Sequence, residues 1–163
     1  MHDTDAVYKR FYDDLFRRAS SLVASGRVHP PVVAVLDDTG SACAVLTHEM
    51  KIEDRASLFM KMAAYPNAQA AALITETWYI DATNNPAEAM RFLALASQGK
   101  LHEYPEKQEA IVISILTTSR QAIMVCQIDR TTNSVQKAPF KWIDTSEALY
   151  TGAYVRPPQG RPN

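Results

Sequence analysis

The stretch Ala70-Ala71-Ala72-Leu73-Ile74-Thr75-Glu76-Thr77-Trp78-Tyr79-Ile80 decides how this chain is read, because it is apolar almost throughout and carries a single charge. As a strand it sends alternate side chains to opposite faces. Ala72, Ile74, Glu76, Trp78 and Ile80 then share one face, with Glu76 its only charge. A carboxylate in apolar surroundings must be paired, hydrogen-bonded or raised in pKa, since burying it alone is too costly. Glu76 is therefore the first candidate for a site.

Upstream, apolar positions Tyr8, Phe11, Tyr12, Leu15, Ala19, Leu22 and Val23 recur at helical spacing and predict a helix from about Asp5 to Ser25. Thr4 or Asp3 is placed to cap it and Gly26 to end it. The mixed charges of its other side, Lys9 to Arg18, read as a solvated face. Val32–Leu36 and Ala42–Leu46 flank the turn-rich Asp37-Asp38-Thr39-Gly40-Ser41 and predict a hairpin. Asp37 and Asp38 look like a carboxylate pair, but aspartate before glycine in a hairpin is turn chemistry. A second helix is expected from Ile52 to Tyr65, stopped by Pro66. Its two apolar stripes, one through Phe59 and Met60 and one through Leu58, Met62 and Tyr65, make an arc wider than one sheet requires. Either that helix is buried on two sides, or part of it faces another subunit.

Downstream, Asn85 as N-cap, Pro86 at the first helical position and Glu88 three residues past the cap predict a third helix ending at Gly99, with Ala87, Met90, Leu93 and Ala94 as its apolar side. Lys100–Gln108 reads as a surface loop. Ala110–Thr118, Gln121–Ile128 and Val135–Ile143 follow as strands whose short links imply an antiparallel meander. Pro139 makes the last one an edge. Glu147–Tyr150 is read as a helical turn and the proline-rich 156–163 as a flexible tail. The expected object is one α+β domain over 1–155. It has a mainly antiparallel sheet of five or six strands, two or three helices packed mainly on one face, and the order α-β-β-α-β-α-β-β-β.

The opening run of helix, two strands, helix and strands resembles the roadblock/longin and profilin-like architectures in element order, which implies a dimerising or ligand-sensing platform. The segments Ala72–Trp78 and His102–Ser114 are similar to paired segments of small uncharacterised bacterial and phage proteins, in which the intervening stretch is a plainer loop. That likeness makes the Asn85–Gly99 helix an insertion and implies no activity.

Composition narrows the function classes. The 163 residues suit one domain, and 47% apolar with 21% charged residues is ordinary for a globular chain. A net charge of −1 provides no global field for nucleic acid, whose only basis is Arg156 and Arg161 in the tail. No apolar run approaches the ~18 residues of a membrane span, and the polar Met1–Asp5 is unlike a secretory signal. Cys43 and Cys126, far apart and each inside an expected strand, read as buried reduced thiols of a cytoplasmic protein. No glycine-rich phosphate loop, nucleophile elbow or histidine pair at zinc spacing occurs, so neither cofactor nor metal is expected.

Glu76 then has two readings. Structurally, it pairs with a cation such as Arg55, or with backbone donors near the Trp78 indole. Functionally, it is a general acid or base beside Trp78, with His48 or Glu109 as second group. Trp78, Tyr79 and Trp142 line a small apolar pocket, or serve as core or interface aromatics. The working reading is a non-catalytic interaction or ligand-sensing protein. It self-associates as a dimer through an edge strand or the arc of Leu58, Met62 and Tyr65, and takes a protein partner or small ligand. The alternative is a small hydrolase- or isomerase-like enzyme built on Glu76.

Overall fold

The computed structural model describes residues 5–79, 86–103 and 107–143. Among them the order is α1 (Ala6–Ala24), β1 (Val32–Asp37), β2 (Ala42–Leu46), α2 (Ile52–Ala63), β3 (Ala68–Tyr79), α3 (Pro86–Ser97), a 3-10 turn at Leu101–Glu103, β4 (Gln108–Leu116), β5 (Gln121–Asp129) and β6 (Ser134–Val135). The strands form one sheet in the order β2-β1-β3-β4-β5-β6, antiparallel at every step. This is the α+β fold and element order expected from the sequence. The expected caps Asp3, Thr4 and Asn85, residue Ile80, the side chain of Glu88, the turn Glu147–Tyr150 and the tail with its 155/156 boundary lie outside the described residues. None of the described helices is long and apolar enough to cross a membrane.

The sheet is covered on both faces, which corrects the one-face expectation. On β3, Ala70, Ala72 and Ile74 point into a core with Phe11, Tyr12, Ala19 and Val23 of α1 and with Ile111, Ile113, Ile115, Met124 and Cys126 of the meander. The intervening Ala71 and Leu73 point the other way, against Phe59 and Ala63 of α2 and Val33 of β1. Both parities of β3 are apolar, so neither face can be left to water. Ala70, Ala71 and Ala72 are each 0% exposed, small enough for close packing on both sides at once.

α1 ends as its sequence directs. The Arg27 N–H bonds the Leu22 carbonyl at 3.3 Å and the Gly26 N–H bonds that of Val23 at 2.9 Å, a Schellman closure with Gly26 at φ +77°. In α3 the side formed by Ala87, Met90, Leu93 and Ala94 faces outward, Met90 being 67% exposed, while Phe92, Leu95 and Ala96 are half-buried. The helix is apolar on more than one side, so periodicity alone does not say which side is covered.

The expected strand Val135–Ile143 forms only at its start, since β6 is Ser134–Val135. The following residues run beside β5 without regular pairing. The Gln136 N–H bonds the Gln127 carbonyl at 2.9 Å, the Ile143 N–H bonds that of Gln121 at 2.8 Å, and Trp142 forms a single bridge with Ala122. Between these points Pro139 has no N–H to give, and the Ala138 carbonyl turns to accept the Tyr12 hydroxyl at 2.6 Å. Phe140 and Trp142 pack onto the core that α1 covers. This edge of the sheet is therefore fastened down by side chains.

Candidate functional site

Glu76 lies where the β1–β3 ladder stops. Pairing begins at Val32↔Ile74, so the next position facing Glu76 is Pro30. Pro30 and Pro31 cannot donate to a ladder. The last available donor is the His29 N–H, and the Glu76 carboxylate accepts it through Oε2 at 2.7 Å. The cation comes from the opposite side of β3. Register sets Trp78 against Glu109 and Glu109 against Ile128, which leaves Arg130 just beyond the end of β5. Its Nη2 donates to Glu76 Oε1 and its Nε to Glu109 Oε2 at 2.6 Å. The turn that carries Arg130 is shaped by Asp129, whose Oδ1 accepts the Thr131 N–H at 2.9 Å, as Asp37 Oδ1 accepts that of Thr39 at 2.9 Å in the first hairpin. Both aspartates are turn residues, with these hydrogen bonds holding their carboxyls below the ordinary range.

One guanidinium thus joins two carboxylates of unequal depth. The side chain of Glu76 is 1% exposed, that of Glu109 25% and that of Arg130 31%. Burial works against the Arg130 charge, but the bonds and charges of Glu109 and Glu76 outweigh it and hold its pKa above the ordinary value. The His29 ring shares this corner. Its Nδ1 donates to the Pro30 carbonyl at 2.6 Å, since a carbonyl only accepts. Burial lowers its pKa, and the Pro30 bond and Glu76 charge only partly offset that. Glu76 has both oxygens engaged and almost no access to water, so it fastens the segment before β1 to the β5–β6 turn across β3 and β4.

The expected cation for Glu76, Arg55, lies over the other face. α2 covers the odd-numbered side of β3 and Glu76 is on the even side. Arg55 Nε donates to Thr47 Oγ1 at 2.9 Å, and Nη2 donates to the carbonyls of Thr47 at 2.8 Å and Met50 at 3.1 Å, which closes the β2–α2 connection. Of the proposed catalytic set, Glu76 and Glu109 come together through Arg130, whereas His48 sits in the loop after β2 beside Glu49, at 3.8 Å. Trp78 is half-buried with the Lys107 ammonium 5.8 Å from its ring centroid. Trp142 belongs to a different cluster, stacked under the Arg120 guanidinium at 4.1 Å and edge-on to Phe140, with its indole N–H buried and lacking a hydrogen-bond partner among the described residues. Leu58 and Met62 pack at the margin of the α2 core, while Tyr65 and Met60 are each 59% exposed. An open depression of ≈ 370 Å³ lies beside Lys107, Glu109, Asp129 and Arg130, and another of ≈ 460 Å³ lies on the outer side of α1; neither is lined by Trp78 or Trp142. No periodicity singles out His29 or Arg130, although His29 borders the Pro30-Pro31 pair and Arg130 lies in the Asp129–Ser134 turn, both recognisable breaks.

Among the described residues, nothing pairs with the other end of the sheet. β2 is an edge strand, every residue of Ala42-Cys43-Ala44-Val45-Leu46 is exposed, and none is charged. Cys43, expected to be buried, is exposed because none of the described strands or helices covers this edge, while Cys126 is buried against the Tyr12 hydroxyl at 3.3 Å. The hydrogen bonds show which backbone groups face outward. The Asp37 N–H bonds the Ser41 carbonyl and the Thr47 N–H bonds the Pro31 carbonyl, so odd-numbered residues carry the β1–β2 ladder. The N–H and C=O groups of Ala42, Ala44 and Leu46 therefore point away from the sheet.

A double-mutant cycle tests the clamp. Glu76→Ala should cost about 3 kcal/mol in urea unfolding, because it takes the acceptor from the part-buried His29 N–H and leaves the half-buried Arg130 guanidinium with Glu109 alone. Its coupling to Arg130→Ala should be about 1–3 kcal/mol, against less than about 1 kcal/mol for the more exposed Glu109 with Arg130. A second test uses pH. The His29 pKa is lower folded than unfolded, so the unfolded chain takes up the proton first and stability falls as pH drops below about 6.5. Unfolding of His29→Gln should show a shallower loss between pH 7.5 and 5.5 than the parent chain. Set against protein-family models, curated proteins and solved structures, the chain matches none of them.

Proposed function

We propose that this chain is a non-catalytic interaction protein that self-associates, with the open β2 edge as its working surface. The observation that carries the reading is the contrast between the two sides of the sheet. Ser134–Ile143 is fastened along β5, while β2 presents an uncharged strand with Val45 57% and Leu46 61% exposed. Proteins protect such edges with lysine, proline, a bulge or a covering segment, and among the described residues β2 has none of these. The enzyme reading loses its motivation, because the proposed acid/base residue is saturated by Arg130 and the His29 N–H and is shut off from water. The free thiols of Cys43 and Cys126 fit a reducing compartment and support a cytoplasmic placement.

Sedimentation at about 100 µM should give a species heavier than the monomer that dissociates on dilution. Ala44→Lys, whose ammonium would meet its own copy at a paired edge, should sediment as monomer and melt at the temperature of the dilute, dissociated parent chain. A parent chain that stays monomeric at that concentration removes the reading.

A further inference from the structure

We infer that the partner on β2 is a second copy of this chain, paired antiparallel about a two-fold axis at Ala44; this rests on the self-association proposed above. The outward-facing backbone groups belong to Ala42, Ala44 and Leu46, spaced symmetrically about Ala44. An identical strand run antiparallel satisfies all of them in one register, Ala44 against Ala44 and Ala42 against Leu46 in both directions. Sliding by two residues in either sense leaves one residue's pair of groups facing a turn.

Side chains agree with that register. Cross-strand partners share a face, so Ala42, Ala44 and Leu46 lie on the α1 side with Ala34 and Leu36, and Cys43 and Val45 lie on the α2 side with Val33. The two-fold then sets the exposed Leu46 beside the small Ala42, and Val45 beside Cys43. No like charges meet, because the strand has none. A symmetric partner also closes the assembly, since β2 is consumed in both copies and the far edges are already covered by Ser134–Ile143. A five-residue pairing is short of the roughly 800 Å² per partner of a standard interface. Association is therefore reversible and follows concentration.

The register is read by cross-linking. Cys43 and position 45 of the other copy form a non-hydrogen-bonded pair, the cross-strand site whose Cβ separation of about 4.5–5.5 Å comes closest to disulfide geometry. The full-length Val45→Cys chain, mildly oxidised, should give at least tenfold more covalent dimer on a non-reducing gel than either the parent chain or Cys43→Ser/Val45→Cys. Position 45 is exposed, so the variant keeps the fold, which circular dichroism checks. Equal cross-linking in all three chains, or none in Val45→Cys while sedimentation still shows a dimer, overturns the register and leaves self-association standing. A chain that is monomeric in sedimentation overturns both and leaves β2 to a foreign strand.

Discussion

Everything in this molecule follows from β3 being covered on both faces. Its even-numbered residues meet α1 and its odd-numbered ones meet α2, so no side chain in its middle reaches solvent. A carboxylate placed there must find its partners inside the protein. Glu76 finds them at the point where two prolines end the β1 ladder, taking an N–H that the ladder no longer uses and a guanidinium delivered by the turn after β5. Glu76 thereby ties three parts of the chain together, and Arg130 adds β4 through Glu109. Breaking such a contact is expensive, although an apolar core of the same shape can be as stable. The value of Glu76 here is that it fixes where the pre-β1 segment and the β5–β6 turn lie.

The two edges of the sheet are treated differently. On the β5 side, Tyr12 holds the Ala138 carbonyl, Arg120 stacks on Trp142, and Phe140 packs into the core, so an irregular segment serves as a cover. On the β2 side there is no cover among the described residues, and the strand lacks the charges that normally discourage pairing. The Arg55 contacts with Thr47 and Met50 hold the chain just beyond this strand, so the edge is ordered as well as open.

Much of the fold was legible in the residues. Helical spacing in α1, the Asp37–Ser41 turn, the apolar run of β3 and the short meander links each specify a local structure whose partners are near in sequence. What stayed hidden depends on register and sidedness. Alternation showed that Glu76 shares a face with Ile74, but only the pairing of Glu109 with Ile128 brings Arg130 within reach, and only the parity of β3 puts Arg55 on the wrong side. Val135–Ile143 has strand composition, yet Pro139 and the pull of Tyr12 on Ala138 replace pairing with side-chain anchoring. Cys43 looked buried because β2 is as apolar as a core strand; its exposure follows from strand order, which no local pattern encodes.

Residue-resolved amide hydrogen exchange at low and high protein concentration tests the role of β2 most directly. Cys43 and Val45 are bonded to β1 and should exchange slowly at both concentrations. With paired edges, Ala42, Ala44 and Leu46 exchange fast when dilute and slow when concentrated. The same fast exchange of those three amides at both concentrations would contradict the open edge as a self-association surface.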